Sequence, residues 1–194
     1  MYYIFGRSPK PGRWIETPLG DIPGIRWSAW RKGARLPEAP PSPLRFTLKR
    51  ISPNAPDHGP HVPSFLNAAC PLFSEALLQA LGECGVDNLD AYPALLTDPE
   101  KSEPIDTHRA VNVIGFVSAA DMSKSEAIVQ PGGPPLIDVS FDRLVIDPTK
   151  AAQARFFRLA ESAATLVVHE AVRDHLMASG FDDLVFYRPE QVAT

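Results

Sequence analysis

Two stretches of the chain alternate apolar and polar side chains with period two, the pattern of a strand with one buried face. In "PLRFTLKRI" (43–51), Leu44, Phe46 and Leu48 share a face. In "LIDVSFDRLVI" (136–146), Ile137, Val139 and Phe141 oppose Asp138, Ser140 and Asp142. A third stretch, "HRAVNVIGFVS" (108–118), is rich in β-branched residues and predicts another strand. Two further stretches change to helical spacing. "SEALLQALGECG" (74–85) lines up Leu77, Leu78 and Leu81, opens on Ser74 as an N-cap and stops at Gly85. "HEAVRDHLMASG" (169–180) is built the same way, with Ala171, Val172, Leu176 and a terminal Gly180. "PGGPP" (131–135) is a turn signal, and "TDPEKSEPID" (97–106) reads as a polar, acidic loop.

The two helical stretches also align with each other. At an offset of 95, residues 71–94 match residues 166–189 without a gap, with seven identities in 24 columns. These are Glu75/Glu170, Ala76/Ala171, Leu81/Leu176, Gly85/Gly180, Asp87/Asp182, Leu89/Leu184 and Tyr92/Tyr187. The alignment predicts one unit used twice: a strand, a cap, a three-turn helix, a glycine stop and a second strand. The expected fold is therefore α+β, a mixed or antiparallel sheet carrying two pseudo-repeated strand–helix–strand units.

Proline modifies that picture. Twelve of the 21 prolines lie in residues 1–63, including "PEAPPSP" at 37–43. Each ring removes a donor and clashes with the preceding helical turn, so residues 6–63 should be extended chain, turns and short strands. Trp14, Trp27, Trp30, Phe46 and Leu48 argue that this leader packs on a core instead of acting as a loose linker. One domain over 1–194 is expected, with a leader over 1–63 and a duplicated core over 64–194.

Charge and cysteines then narrow the class. With 19 basic and 23 acidic side chains the net charge is -4, which speaks against nucleic acid as a partner. No apolar run approaches the roughly 18 residues of a membrane helix, and "MYYIFGRSPKPGR" is not a secretory signal, so a cytoplasmic location is expected. Cys70 and Cys84 form no metal or redox motif and read as reduced thiols.

Candidate chemistry is sparse. "LVVHEAVRDH" (166–175) approaches the H-E-x-x-H signature of zinc peptidases, but His169 and His175 are six residues apart. That is roughly 240° around a helix, so the rings diverge where a metal would need them to converge. In the alignment His169 falls on the cap Ser74 and His175 on Ala80, both structural columns. His58 and His61 in "PDHGPH" lack a third and fourth ligand, and His108 is isolated. "PGGPP" is no phosphate loop, and no G-x-S-x-G elbow is present. No catalytic residue, metal or cofactor is expected.

The segments "LFSEALLQAL", "AVNVIGFVSAADMSKSE" and "FFRLAESAATLVVHEAVRDHLMASGFDDLVFY" together resemble the bacterial polymorphic-toxin immunity family called immunity eleven. The resemblance covers roughly residues 65–190 and rests on Asn112-Val113, Asp121, Phe157-Arg158-Leu159, the capped helix, Gly180 and Phe186-Tyr187. His169 stands where the family usually has a serine cap. The resemblance implies a cytoplasmic protein that binds a cognate toxin and neutralises it by direct contact, with no catalytic residues to carry over. Expected contact residues are the acidic loop residues Asp98, Glu100, Glu103 and Asp106, together with Trp27 and Trp30. The competing readings are a small hydrolase or metal-dependent enzyme using His58 and His61, and an adaptor for a secreted effector. Homo-oligomerisation stays open.

Overall fold

The computed structural model describes residues 1–7, 13–16, 26–50, 62–67, 70–128 and 139–191. His58, His61 and the "PGGPP" turn lie outside the described residues, as do the side chains of Trp14 and Trp27. In chain order the first strands are β1 (Tyr2–Arg7), β2 (Arg13–Glu16), β3 (Leu44–Arg50), β4 (Phe65–Leu66) and β5 (Leu72–Ser74). Helix α1 (Glu75–Glu83) follows, then β6 (Leu89–Thr97), β7 (Ile105–Val113), β8 (Phe116–Val117), β9 (Glu126–Ile128) and β10 (Ser140–Arg143). The chain continues through β11 (Phe156–Leu159), β12 (Ser162–His169), helix α2 (Glu170–Ala178) and β13 (Leu184–Tyr187). A short 3-10 turn spans Trp27–Arg31. The class is α+β.

Two principal sheets carry the fold, ordered β13-β1-β12-β11-β8 and β2-β3-β6-β7-β5-β4, with β9 and β10 forming a separate ribbon. Pairing is antiparallel except for β8 with β11 and β3 with β6. Three apolar clusters fill the spaces around the sheets. The central one joins Tyr3 and Phe5 of β1, Phe73 of β5, Val111 and Val113 of β7, and Leu77, Leu81, Val172 and Leu176 of the helices. Tyr2 and Ile4 of β1 enter a second cluster with Phe141, Phe157 and Val167. Successive side chains of β1 therefore reach opposite cores, as period two requires for a strand buried on both faces. Residues 2–7 form an interior strand of this sheet, between β12 and β13 from the end of the chain.

The two helices obey the same local rules. Each has nine residues. Ser74 caps α1 by accepting a hydrogen bond from Leu77 N at 3.2 Å, and His169 caps α2 by accepting from Ala171 N through Nδ1 at 3.2 Å. Gly85 and Gly180 follow at φ +72° and +83°, in the left-handed region where a Cβ is costly. The strands on either side of each helix flank an antiparallel third strand, β7 between β5 and β6 and β1 between β12 and β13. No helix among the described residues is long and apolar enough to cross a membrane.

Candidate functional site

Strands β6 and β7 form a hairpin whose tip, residues 98–104, is the acidic loop expected from sequence. Its carboxylates fall into two groups. Asp98 is only 2% exposed: its Oδ1 accepts from Glu100 N at 3.0 Å and its carbonyl from Lys101 N at 2.9 Å. It shapes the turn, and a carboxylate folded back onto backbone donors presents little charge outward. Glu100, Glu103 and Asp106 are exposed. The flank of the hairpin is braced by Arg109, which donates to the carbonyls of Asp106 and His108 and pairs with Glu75 at the start of α1.

Trp30 also leaves the expected surface. It is 0% exposed and packs with Leu44, Phe46, Leu48, Leu72 and Leu96 beneath the six-stranded sheet. Its ring meets Tyr92 edge-on at 5.7 Å. Sequence alone registers a tryptophan in a proline-rich stretch, and only the packing of β3, β5 and β6 against it makes it a core residue.

The opposite end of the β6–β7 hairpin opens into a cleft of ≈ 380 Å³, between the end of α1 and the start of β11. Asn88 ties its walls together by donating to the carbonyls of Ile114 and Phe156, at 2.9 and 3.0 Å. Arg155 reaches across to the carbonyl of Cys84. On the rim, Ala152 and Gln153 hold positive φ (47° and 64°), a strained arrangement for residues other than glycine.

The residues behind the resemblance are structurally placed. Asn112 is buried and donates to Ala34 O at 2.8 Å. Asp121 accepts from Ser123 N and Oγ and from Lys124 Nζ, and these partners pull its carboxyl down to about 2. A twin turn follows the bridge between Ala120 and Ile146, where Asp147 accepts from Thr149 N and Oγ1. The "DMSK" (121–124) and "DPTK" (147–150) sequences were a legible signal for this pair. Arg158, in β11, is 2% exposed, and burial lowers its guanidinium to about 10 with help from nearby Arg31.

Nothing among these groups forms a nucleophile–base pair or a ligand shell. Among the described residues no group of three His, Cys, Asp or Glu could hold a metal ion. His175 lies 3.3 Å from Glu83 on the neighbouring helix, while His169 is occupied as a cap. Cys70 is buried, and burial pushes its thiol up to about 12, far from the thiolate needed for nucleophilic work. What the surface offers is shape and charge.

A family model described as an immunity protein family (Imm11) matches residues 9–191. No curated protein matches the sequence.

Proposed function

The chain belongs to the Imm11 immunity protein family, and from that premise we propose that it binds a cognate bacterial toxin and neutralises it by direct protein–protein contact in the cytoplasm. The observation that carries this reading is the reach of the family match, over nearly the whole chain. A match of that extent includes both helices and every strand from β2 to β13, not one shared motif. The protein acts by occupying the toxin's surface and performs no catalysis of its own. All 194 residues work as one unit, and the two strand–helix–strand units are a repeat of one design.

The hairpin tip is the first contact surface in this reading. Glu103 and Asp106 are exposed and their carboxylates make no ion pair among the described residues, and exposed Glu100 stands beside them. Such a group steers a basic patch toward it and raises the association rate more than the final affinity. Co-expression of toxin and chain tests protection, and stopped-flow mixing tests steering. Reversal of Glu100, Glu103 and Asp106 to lysine should slow association roughly tenfold at low salt, and the difference should shrink at high salt. An unchanged rate would remove the hairpin from the interface. Failure of the unmodified chain to bind any toxin encoded beside it would remove the immunity reading itself.

A further inference from the structure

The small net charge conceals a strong asymmetry along the chain. Residues 1–50 contain ten basic and three acidic side chains, net +7, whereas residues 51–194 contain nine and twenty, net -11. Part of the cationic excess is concentrated at Arg26, Arg31, Lys32 and Arg35, on and around the 3-10 turn. No acidic residue interrupts residues 26–37.

The structure holds this segment in place. Trp30 roots it in the core. Gly33 O accepts from Gly115 N at 2.6 Å, Ala34 O accepts from Asn112, and Arg35 pairs with Asp90 at 2.7 Å while staying 74% exposed. Arg26 and Lys32 are exposed and make no ion pair among the described residues. The segment is therefore a ridge with fixed backbone and exposed cations at Arg26, Lys32 and Arg35, with Arg31 half-buried among them.

A fifth cation lies in the same neighbourhood. Arg158 donates from Nη1 to Ala163 O at 2.8 Å, and its buried Nε has no partner among the described residues. Arg31 is close enough for the two like charges to oppose each other. A buried guanidinium without a carboxylate, near a second guanidinium, is unfavourable in the isolated protein. Negative charge brought to the ridge from outside would relieve it.

We propose that the ridge over residues 26–35 is a second docking surface, which takes an acidic segment of the partner protein through carboxylates facing Arg26, Lys32 and Arg35. The identity of that partner as the toxin rests on the immunity reading; the chemistry of the ridge does not. The charge pattern favours a polypeptide over a nucleic acid. A nucleic acid needs a long run of cations for the continuous phosphate neutralisation on which its affinity depends, and this short ridge offers only a few. Trp30, buried in the core, provides no stacking platform for bases.

The test uses the full chain and its Arg26→Glu/Lys32→Glu variant, both checked for native circular dichroism. A fluorescent oligoglutamate peptide and an oligothymidylate of equal length serve as probes at about 50 mM and about 500 mM salt. The unmodified chain should bind the peptide at low salt, and the variant should bind it at least roughly tenfold more weakly, a difference that fades at high salt. Association with the toxin should slow by a similar factor in the variant. Peptide binding that is absent, or equal in the two proteins, would overturn the ridge, as would tighter binding of the oligothymidylate. A chain that binds peptide but no toxin refutes the immunity reading alone. A variant that binds toxin at the unmodified rate refutes the ridge as a toxin contact alone.

Discussion

Replacing Trp30 with alanine separates a core anchor from a surface anchor. The side chain is 0% exposed, lies among Leu44, Phe46, Leu48, Leu72 and Leu96, and meets Tyr92 edge-on at 5.7 Å. Truncating a buried tryptophan costs ~3–5 kcal/mol, since transfer free energy is lost and a cavity remains. In a chain of this size each kcal/mol lowers Tm by roughly 2–4 °C, so Trp30→Ala should melt roughly 6–20 °C early. Trp30→Phe isolates one part of that cost. The indole Nε1 has no hydrogen-bond partner among the described residues, so phenylalanine removes an unsatisfied buried donor while keeping most of the apolar volume. Its cost should stay below about 1.5 kcal/mol, because relief of the unsatisfied donor offsets part of the lost packing. Urea unfolding followed by far-ultraviolet circular dichroism measures both variants, with the midpoint and slope fitted together. A Trp30→Ala protein within about 0.5 kcal/mol of the parent would refute the core assignment, as would a phenylalanine variant as unstable as the alanine one.

Two further measurements probe the caps and the turn at Asp121. Ser74→Ala should cost ~1 kcal/mol by removing the bond to Leu77 N, whereas His169→Ser should stay within about 0.5 kcal/mol of the parent. In the second variant a serine cap compensates for the lost ring contact to Tyr2 at 5.2 Å, and a larger loss would show that the ring matters more than the cap. For Asp121, the folded carboxyl is held near 2, below its ordinary 3.8, first by its hydrogen bonds to Lys124 and Ser123. A depressed carboxyl contributes stability above its unfolded value and loses it as pH falls through the folded one. Asp121→Asn should therefore be less stable than the parent at neutral pH, with the gap closing between roughly pH 4 and pH 2. A gap that persists at pH 2 would assign the effect to shape instead of charge.

Sequence reading and structure part company at identifiable residues. The helix over 74–85 was legible because its determinants are local: an oxygen three residues before Leu77, leucines on one side, and a glycine at φ +72°. The alternation in 43–51 likewise survives, with Leu44, Phe46 and Leu48 all buried. Of the expected 136–146 strand, the described residues begin at 139: Val139 and Phe141 are buried, and a strand runs over Ser140–Arg143. The acidic hairpin was recognisable as a loop, but the role of each carboxylate was not. Asp98 and Glu100 are both acidic in sequence, and the turn geometry buries one and exposes the other. The basic ridge was readable in principle, since ten of the 19 basic residues lie in the first 50, but whole-chain net charge averaged it away.

By itself, then, the sequence determined the α+β class, the helix caps and stops, the strand faces and the resemblance to an immunity family, all of which depend on neighbours a few residues apart. Tertiary structure decided which of these elements meet. It set Tyr2–Arg7 between β12 and β13, drew Trp30 into a core shared with β3, β5 and β6, and buried Arg158 near Arg31. Each outcome depends on pairing between segments far apart along the chain, and local periodicity carries no information about such partners. Period two states that a strand has two faces, and only the sheet order shows what each face touches.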